Sequence, residues 1–328
     1  MRSMNRIFPL LLICCCLAGL TAGCNIEQAS PEPSVFEKEQ VSESVIKPKR
    51  MFAIVYATSD ILYKEVTKKA EKVSQRLGVQ LIVKAPDEAN AEQQIRMMEN
   101  LVKQHVDGIA ISPVDADALT PYINKAVQSG IRVVCFDNDA PKSKRLAYVG
   151  IDNYEAGSRL AEKLANDLGG QGMVIAETGQ YGFSSIQQRV AGFKDYLSRM
   201  PEIQLLDIQT NGDNLDRAIH NLETMIDAHP HFDAFVGMDT LAGSSAILVW
   251  KAKGLSQIAL TTNDLPEMLD GVKNEQLTAI LSLQEGVWGD RIINTLNDAY
   301  EGKEAQQPSL IEPIMITKEN LGSYQVKQ

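Results

Sequence analysis

From Met51 onward, short apolar runs alternate with amphipathic stretches. Met51-Phe52-Ala53-Ile54-Val55-Tyr56 is apolar at every position, which predicts a strand buried on both faces. Lys64 to Leu77 carries apolar residues at helical spacing and runs into Gly78, which predicts a helix with a glycine stop. The alternation continues with strands predicted over 79–83, 108–112 and 131–136, and helices over 91–104 and 116–129. After Gly150-Ile151-Asp152-Asn153 the pattern restarts. Helices are predicted at 156–168, 185–199, 216–228 and 242–253, and strands at 172–177, 204–208, 234–237 and 258–262. Fully apolar strands separated by helices predict parallel sheets covered on both faces. Two consecutive units of similar size predict an α/β body of two doubly wound lobes, with ligands at the carboxyl ends of the strands.

The first fifty residues follow a different pattern. Arg2 and Arg6 precede an apolar run from Ile7 to Leu20, about 14 residues and too short for a comfortable membrane span. Thr21-Ala22-Gly23 then supplies small residues before Cys24, so 1–23 is predicted to be a secretory signal peptide. The cysteine at the processing point resembles the lipobox of bacterial lipoproteins, although Thr21 stands where leucine is usual. That resemblance implies a lipidated Cys24 as the mature N-terminus. Residues 24–50 are rich in Glu, Ser, Pro, Gln and Lys, which predicts a flexible membrane tether.

Composition narrows the function classes. Of five cysteines, those at 14, 15, 16 and 24 leave with the signal or carry lipid, so only Cys135 remains in the fold and no internal disulfide is expected. Cys135 lies in the apolar run Ile131-Arg132-Val133-Val134-Cys135-Phe136 and is predicted to be a core residue. The formal net charge of −10 becomes more negative once Arg2 and Arg6 are removed, and no basic stripe exists, which argues against nucleic acid as a partner. Leu168-Gly169-Gly170-Gln171-Gly172 follows a helix and precedes a strand, the wrong order for a phosphate-binding loop. His229-Pro230-His231 lacks the spacing of a metal set, and no G-x-S-x-G elbow occurs. Neither a cofactor nor an enzymatic activity is expected.

The informative polar residues stand at strand ends. Asp60, Ser112, Asp137 and Asn138 follow strands of the first unit; Asp239, Asn263 and Asp264 follow strands of the second. Each alone suits a turn or helix cap, but their recurrence at one topological place predicts hydrogen bonding to the hydroxyls of a sugar or polyol. Ser184 and Ser185 stand at a predicted helix N-terminus, where they are expected to cap the helix, with contact to a bound ligand as the alternative.

Residues 51–328 resemble the ribose/galactose-type periplasmic binding proteins of the type I fold. The resemblance is carried by Gly108-Ile109-Ala110-Ile111-Ser112-Pro113, Ile131 to Asp137, Val149-Gly150-Ile151-Asp152-Asn153, Gln188-Arg189-Val190-Ala191-Gly192-Phe193, Ala228-His229-Pro230 and Leu277-Thr278-Ala279-Ile280. It implies a three-strand hinge, with one lobe of 51–152 plus 285–311 and another of 153–284 plus 312–328. Matching site positions one by one implies ligand contacts from Asp60, Tyr63, Asp137, Asp239 and Asn263, with Asp264 beside the last. Several places depart from the family pattern. Leu62 replaces an aromatic, while Asn138 and Gln187 stand where arginines are usual. Asp213 or Asn214 falls near an expected aromatic, and Leu283 replaces a hinge glutamine with Gln284 adjacent. Tyr181, Phe183 or Trp288 is then the alternative source of an aromatic surface.

The resemblance implies a monomeric extracytoplasmic lipoprotein that delivers a sugar or related polar molecule to an ABC permease. A sensory receptor for a histidine kinase or chemoreceptor is the alternative. A transcription regulator of the same fold is excluded, because an export signal and tether occupy the place of its DNA-binding segment. Cys24→Ala is expected to move the protein from the membrane to the soluble fraction in cell fractionation; unchanged membrane association would contradict the anchor.

Overall fold

The computed structural model describes residues 49–59, 61–303 and 309–324. The predicted signal peptide 1–23, Cys24, most of the 24–50 stretch and Asp60 lie outside the described residues. Each β–α repeat appears as the pattern predicts. In the first unit these are β1 (Met51–Val55), α1 (Leu62–Leu77), β2 (Gln80–Lys84), α2 (Ala91–Lys103), β3 (Gly108–Ile111), α3 (Ala116–Gln128), β4 (Arg132–Phe136) and β5 (Ala147–Gly150). The second unit has α4 (Asn153–Asp167), β6 (Gly172–Thr178), α5 (Ser184–Leu197), β7 (Ile203–Thr210), α6 (Leu215–Ala228), β8 (Ala234–Gly237), α7 (Thr240–Lys253), β9 (Ile258–Thr262), α8 (Pro266–Lys273) and β10 (Ala279–Ser282). The chain closes with α9 (Trp288–Tyr300), β11 (Ser309–Leu310), β12 (Ile314–Thr317) and α10 (Lys318–Leu321).

The strands form two six-stranded sheets, ordered β11-β5-β4-β3-β1-β2 and β12-β10-β9-β8-β6-β7. All described pairings are parallel except β10 with β12. The chain crosses between the sheets three times: after β5, after β10, and between β11 and β12. Within β1 the side chains alternate strictly. Phe52 and Ile54 enter one core cluster with α1 and α9, while Ala53 and Val55 enter another with α2 and α3. β8 repeats this, Ala234 and Val236 facing α4 and α5, and Phe235 facing α6 and α7. Both faces of each sheet are therefore dry, which is why these strands read as unbroken apolar runs.

Helix ends fall where local chemistry stops them. Gly78 adopts φ 67° after α1, and its N–H bonds the last turn. Asn90, Asp115, Asp152, Asn214 and Asp239 cap α2, α3, α4, α6 and α7 with their side-chain oxygens. The predicted serine cap at α5 is not present: Phe183 holds that position and makes no side-chain cap bond. Cys135 is fully buried in β4, and burial pushes its thiol up to about 12, which suits a packing role.

One helix pair leaves no room for a methyl group. A Cβ on Gly192 of α5 would sit 1.9 Å from the Tyr154 carbonyl oxygen of α4, and one on Gly157 of α4 1.9 Å from the Arg189 carbonyl oxygen of α5. The glycines let the two backbones touch. Gly192→Ala is expected to destabilise the fold by about 1–3 kcal/mol through overpacking. A denaturant midpoint equal to that of the parent protein would show that α4 and α5 separate at no cost.

Candidate functional site

The carboxyl ends of β1, β4, β6, β8 and β9 deliver their connecting loops to a cavity of about 70 Å³ between the sheets. Its wall includes Tyr63 and Asp137 from the first unit, Asp213, Asp239 and Asn263 from the second, and Leu283 and Trp288 from the return crossing. The volume holds several waters or one small ligand. Of the ten residues predicted from sequence, five line this cavity: Tyr63, Asp137, Asp213, Asp239 and Asn263.

The other predicted residues take different places. Ser112 and Asn138 stand directly behind Asp137: the Ser112 hydroxyl lies 3.3 Å from an Asp137 carboxylate oxygen, and Asn138 Nδ2 donates to Ser112 Oγ at 3.1 Å. Gln187 is exposed and donates to the Tyr181 carbonyl, away from the cavity. Asp264 accepts the Ser282 hydroxyl at 2.9 Å and the Tyr324 hydroxyl, which ties it to the hinge rather than to the cavity wall. Leu283 lines the cavity, whereas Gln284 turns away and donates to the Glu312 carbonyl. Phe183 and Trp288 reach the wall and Tyr181 does not, being 48% exposed.

Arg189 is the site residue that strand-end reasoning missed. It lies two residues beyond Gln187 on α5, where the helix face turns inward, and it is 4% exposed. One Nη donates to the Met238 carbonyl, the other to Asn153 Oδ1 at 2.7 Å, and Nε is buried without a partner. Burial pulls the guanidinium below its ordinary range, and the carboxylates of Asp137, Glu285 and Asp239 oppose that shift. The available signal was helical spacing: on α5, Arg189 shares a face with Ile186, Val190 and Phe193, all buried.

Each acid on the wall is held in place. Asp137 accepts the Tyr63 hydroxyl at 2.7 Å, and Tyr63 stacks on Tyr56 with ring centroids 4.3 Å apart. Asp239 caps α7 through the N–H groups of Leu241 and Ala242 while accepting both bonds from Asn211 Nδ2, at 3.0 and 3.1 Å. It serves at once as cap and wall. Even with these donors, burial pushes Asp239 up to about 6. Gln94 braces the first rim from behind, bonding Tyr56 O, Ser112 O and Val114 N from a fully buried position. Asp137, Asp213 and Asn263 all take positive φ, 56°, 58° and 72°. Asp and Asn tolerate that region best, and its cost of about 1–2 kcal/mol per residue is met where side chains must turn into the cleft.

The two rims also touch each other. Asn138 Oδ1 accepts from the Ser185 N–H at 3.1 Å and the Ser185 hydroxyl at 2.8 Å, and the Asp139 N–H donates to Ser184 Oγ at 3.0 Å. The serines predicted as helix caps instead form a polar seam between the two units. Among the described residues no group of three or more His, Cys, Asp or Glu is arranged to hold a metal ion.

A model of the periplasmic binding protein domain matches residues 52–304. The ribose import binding protein of Bacillus subtilis is 22% identical over 262 residues, 79% of this chain and 85% of that protein. A solute-binding protein from Burkholderia graminis, solved in complex with D-arabinose, matches with a TM-score of 0.81 at 29% identity, covering 84% of this chain and 97% of that one. A glucose-galactose binding protein from Geobacillus stearothermophilus gives 0.78 at 27% identity, covering 84% and 99%.

Beneath Asp239, the Glu177 side chain is buried in β6, with Asn221 Nδ2 at 3.0 Å and Ser245 Oγ at 3.4 Å. Burial, reinforced by Asp239, pushes its carboxyl up to about 8 against those hydrogen bonds. The fold thus holds a proton that the unfolded chain releases near the ordinary value of 4.5. Its contribution to stability is complete below that value and is lost as pH rises through about 8. Glu177→Gln is expected to raise Tm relative to the parent protein at pH 8–9 and to change it little at pH 5. An equal effect at both values would sink this assignment.

Proposed function

The chain belongs to the family of periplasmic binding protein domains, and on that premise we propose that it is an extracytoplasmic solute-binding lipoprotein. In this reading it captures a sugar or related polar small molecule in the interlobe cavity and delivers it to a membrane ABC importer. The observation that carries the reading is the cavity itself: strand ends of two parallel sheets meet there, with carboxylates, an amide and a guanidinium on the wall. The relatives support the ligand class, since one imports ribose, one holds D-arabinose and one binds glucose and galactose.

The lobes of this proposal are 51–152 plus 285–311 and 153–284 plus 312–328, with the three crossings as hinge. Ligand contacts come from Tyr63, Asp137, Asp213, Asp239 and Asn263, with Arg189 added and Ser112 and Asn138 supporting Asp137. Asp60, a further contact expected from the sequence, lies outside the described residues. A ligand that touches both rims favours the closed arrangement by its differential affinity, and that closed surface is what a permease reads. The lipid on Cys24 and the 24–50 tether keep the protein at the membrane. Arg50 supports this geometry. It is pinned to Leu77 O at 2.9 Å and Asn297 Oδ1 at 2.5 Å at the amino end of β1, the end of the strand opposite the cavity.

Ligand present at a hundredfold excess over its Kd stabilises the native state by about 2.7 kcal/mol, which raises Tm by several degrees. A thermal-shift panel of pentoses, hexoses and polyols is expected to contain such a ligand. Asp137→Ala, still folded by circular dichroism, is expected to lose the shift. Retention of the full shift in that variant would remove Asp137 from the site, and silence across the whole panel would overturn the sugar reading.

A further inference from the structure

Two carboxyl groups meet where the chain returns from β10 to α9. Glu285 stands on that crossing, 3% exposed, and the Asp264 carboxyl lies within hydrogen-bonding reach of it. Glu285 Oε1 accepts from Asn263 Nδ2, and the carboxyl also meets its own backbone N–H, but Oε2 is buried without a donor. Asp264 accepts the Ser282 and Tyr324 hydroxyls on Oδ2. Two carboxyl groups that meet with no other donor between them repel unless they hold a proton in common. Building on the receptor reading, we propose that Glu285 is a positioning residue of the cavity: it shares one proton with Asp264, the pair holds Asn263 in the wall, and loss of that proton weakens ligand binding.

Asn263 is where the pair meets the cavity. It is buried, takes φ 72° and lines the wall. Its Oδ1 accepts the Thr262 hydroxyl at 2.7 Å and its Nδ2 donates to Glu285, so the amide is gripped at both ends by the protein. One N–H and one lone pair of that amide are left for a ligand. Trp288, about one helical turn beyond Glu285, lines the same wall and donates to the Leu283 carbonyl at 3.2 Å. A displacement of Glu285 therefore reaches the wall at two places.

The charges around Glu285 set the direction of the dependence. Burial and then Asp264 push its carboxyl well above the ordinary carboxylate range, against the bonds from Asn263 and its own N–H. Tyr324 stands behind Asp264, and Arg189 of α5 feels the Glu285 charge. With one proton between them the two acids keep a single negative charge, which Arg189 opposes. Lys64, Glu65, Lys68 and Lys69 of α1 and Glu267 of α8 line a groove of about 460 Å³ that Asp264 and Glu285 also border. Two buried carboxylates in contact cannot both stay once the proton is gone, and this groove gives Glu285 a path to water and the α1 lysines. The fold holds a proton that the unfolded chain releases near 4.5. Its contribution to stability is therefore complete below that value and is lost as pH rises through the raised one.

Trp288 reports on the pair without any ligand. The chain has two tryptophans, so Trp250→Phe leaves Trp288 as the sole emitter. Its emission is expected to shift to the red in one transition as pH is raised from 5 to 10. Glu285→Gln keeps an oxygen for Asn263 and places an N–H where the proton lies. It is expected to abolish that transition, to leave Tm near the parent value at pH 5 and to raise it at pH 9, whereas Glu285→Leu lowers Tm at pH 5. Glu177 titrates in parent and variant alike, so the difference between them belongs to Glu285. If Glu285→Gln does not fold, Asp264→Asn supplies the donor from the other side and is expected to move the transition to lower pH. For whichever of D-ribose, D-arabinose and D-galactose binds, affinity is expected to fall above the transition by up to about tenfold per pH unit, the limit for one linked proton, and to stay level in Glu285→Gln. Emission that stays flat in the parent or shifts equally in Glu285→Gln overturns the proposal. An affinity that falls equally in both proteins overturns it too. If no sugar of the panel binds, the sugar reading falls, and Trp288 emission alone decides whether the proton pair stands.

Discussion

Arg189 is a fully enclosed cation, and the site is organised around the need to compensate it. Its Nη groups reach the start of α4 through Asn153 and the end of β8 through Met238, while Asp137, Asp239 and Glu285 supply opposing charge. These partners come from both units and from the return crossing between β10 and α9. A buried guanidinium pays for its desolvation only when such partners are held in place, so its presence constrains where both rims and the hinge stand. Asn153, Asp137 and Asp239 are themselves tied to elements behind them, which passes the constraint outward into both sheets.

The seam between the rims follows from the same geometry. Asn138 sits one residue beyond Asp137, behind the wall, and spends its amide on Ser112 of one unit and Ser185 of the other. Beside it Asp139 bonds Arg145 and Ser184. Polar groups meeting polar groups at a rim can separate into water at little net cost, unlike the apolar clusters beneath each sheet. The apolar cores therefore hold more firmly than the polar seam between the rims.

Backbone strain is placed accordingly. Asp137, Asp213 and Asn263 carry positive φ at the cavity, and Gln284 carries it just behind, at φ 55°. Rigid parallel sheets hold these residues from one side, and Gln94, Asn211 and the caps of α6 and α7 hold their loops from the other. The strain directs short polar side chains inward at the point where regular strand geometry ends.

The sequence by itself determined the two α/β units, their order and their strand ends, because parallel strands buried on both faces must be apolar throughout and leave that pattern in the chain. Polar residues at strand ends also placed Asp137, Asp239 and Asn263 at the cavity, while Tyr63 and Asp213 came from the family resemblance. What only the tertiary structure decided was which polar residues share the cavity. Arg189 looks like one more helical residue until α5 is rotated against β8, and Gln187, two positions earlier, faces the opposite way. Asp264 adjoins Asn263 in the chain, yet the positive φ at Asn263 sends the two side chains to different partners. Ser184 and Ser185 have the local chemistry of caps but are drawn across the cleft by Asp139 and Asn138. The placements of Arg189, Asp264, Ser184 and Ser185 each depend on a partner more than 15 residues away in the chain or in the other unit, a relation that local periodicity does not encode.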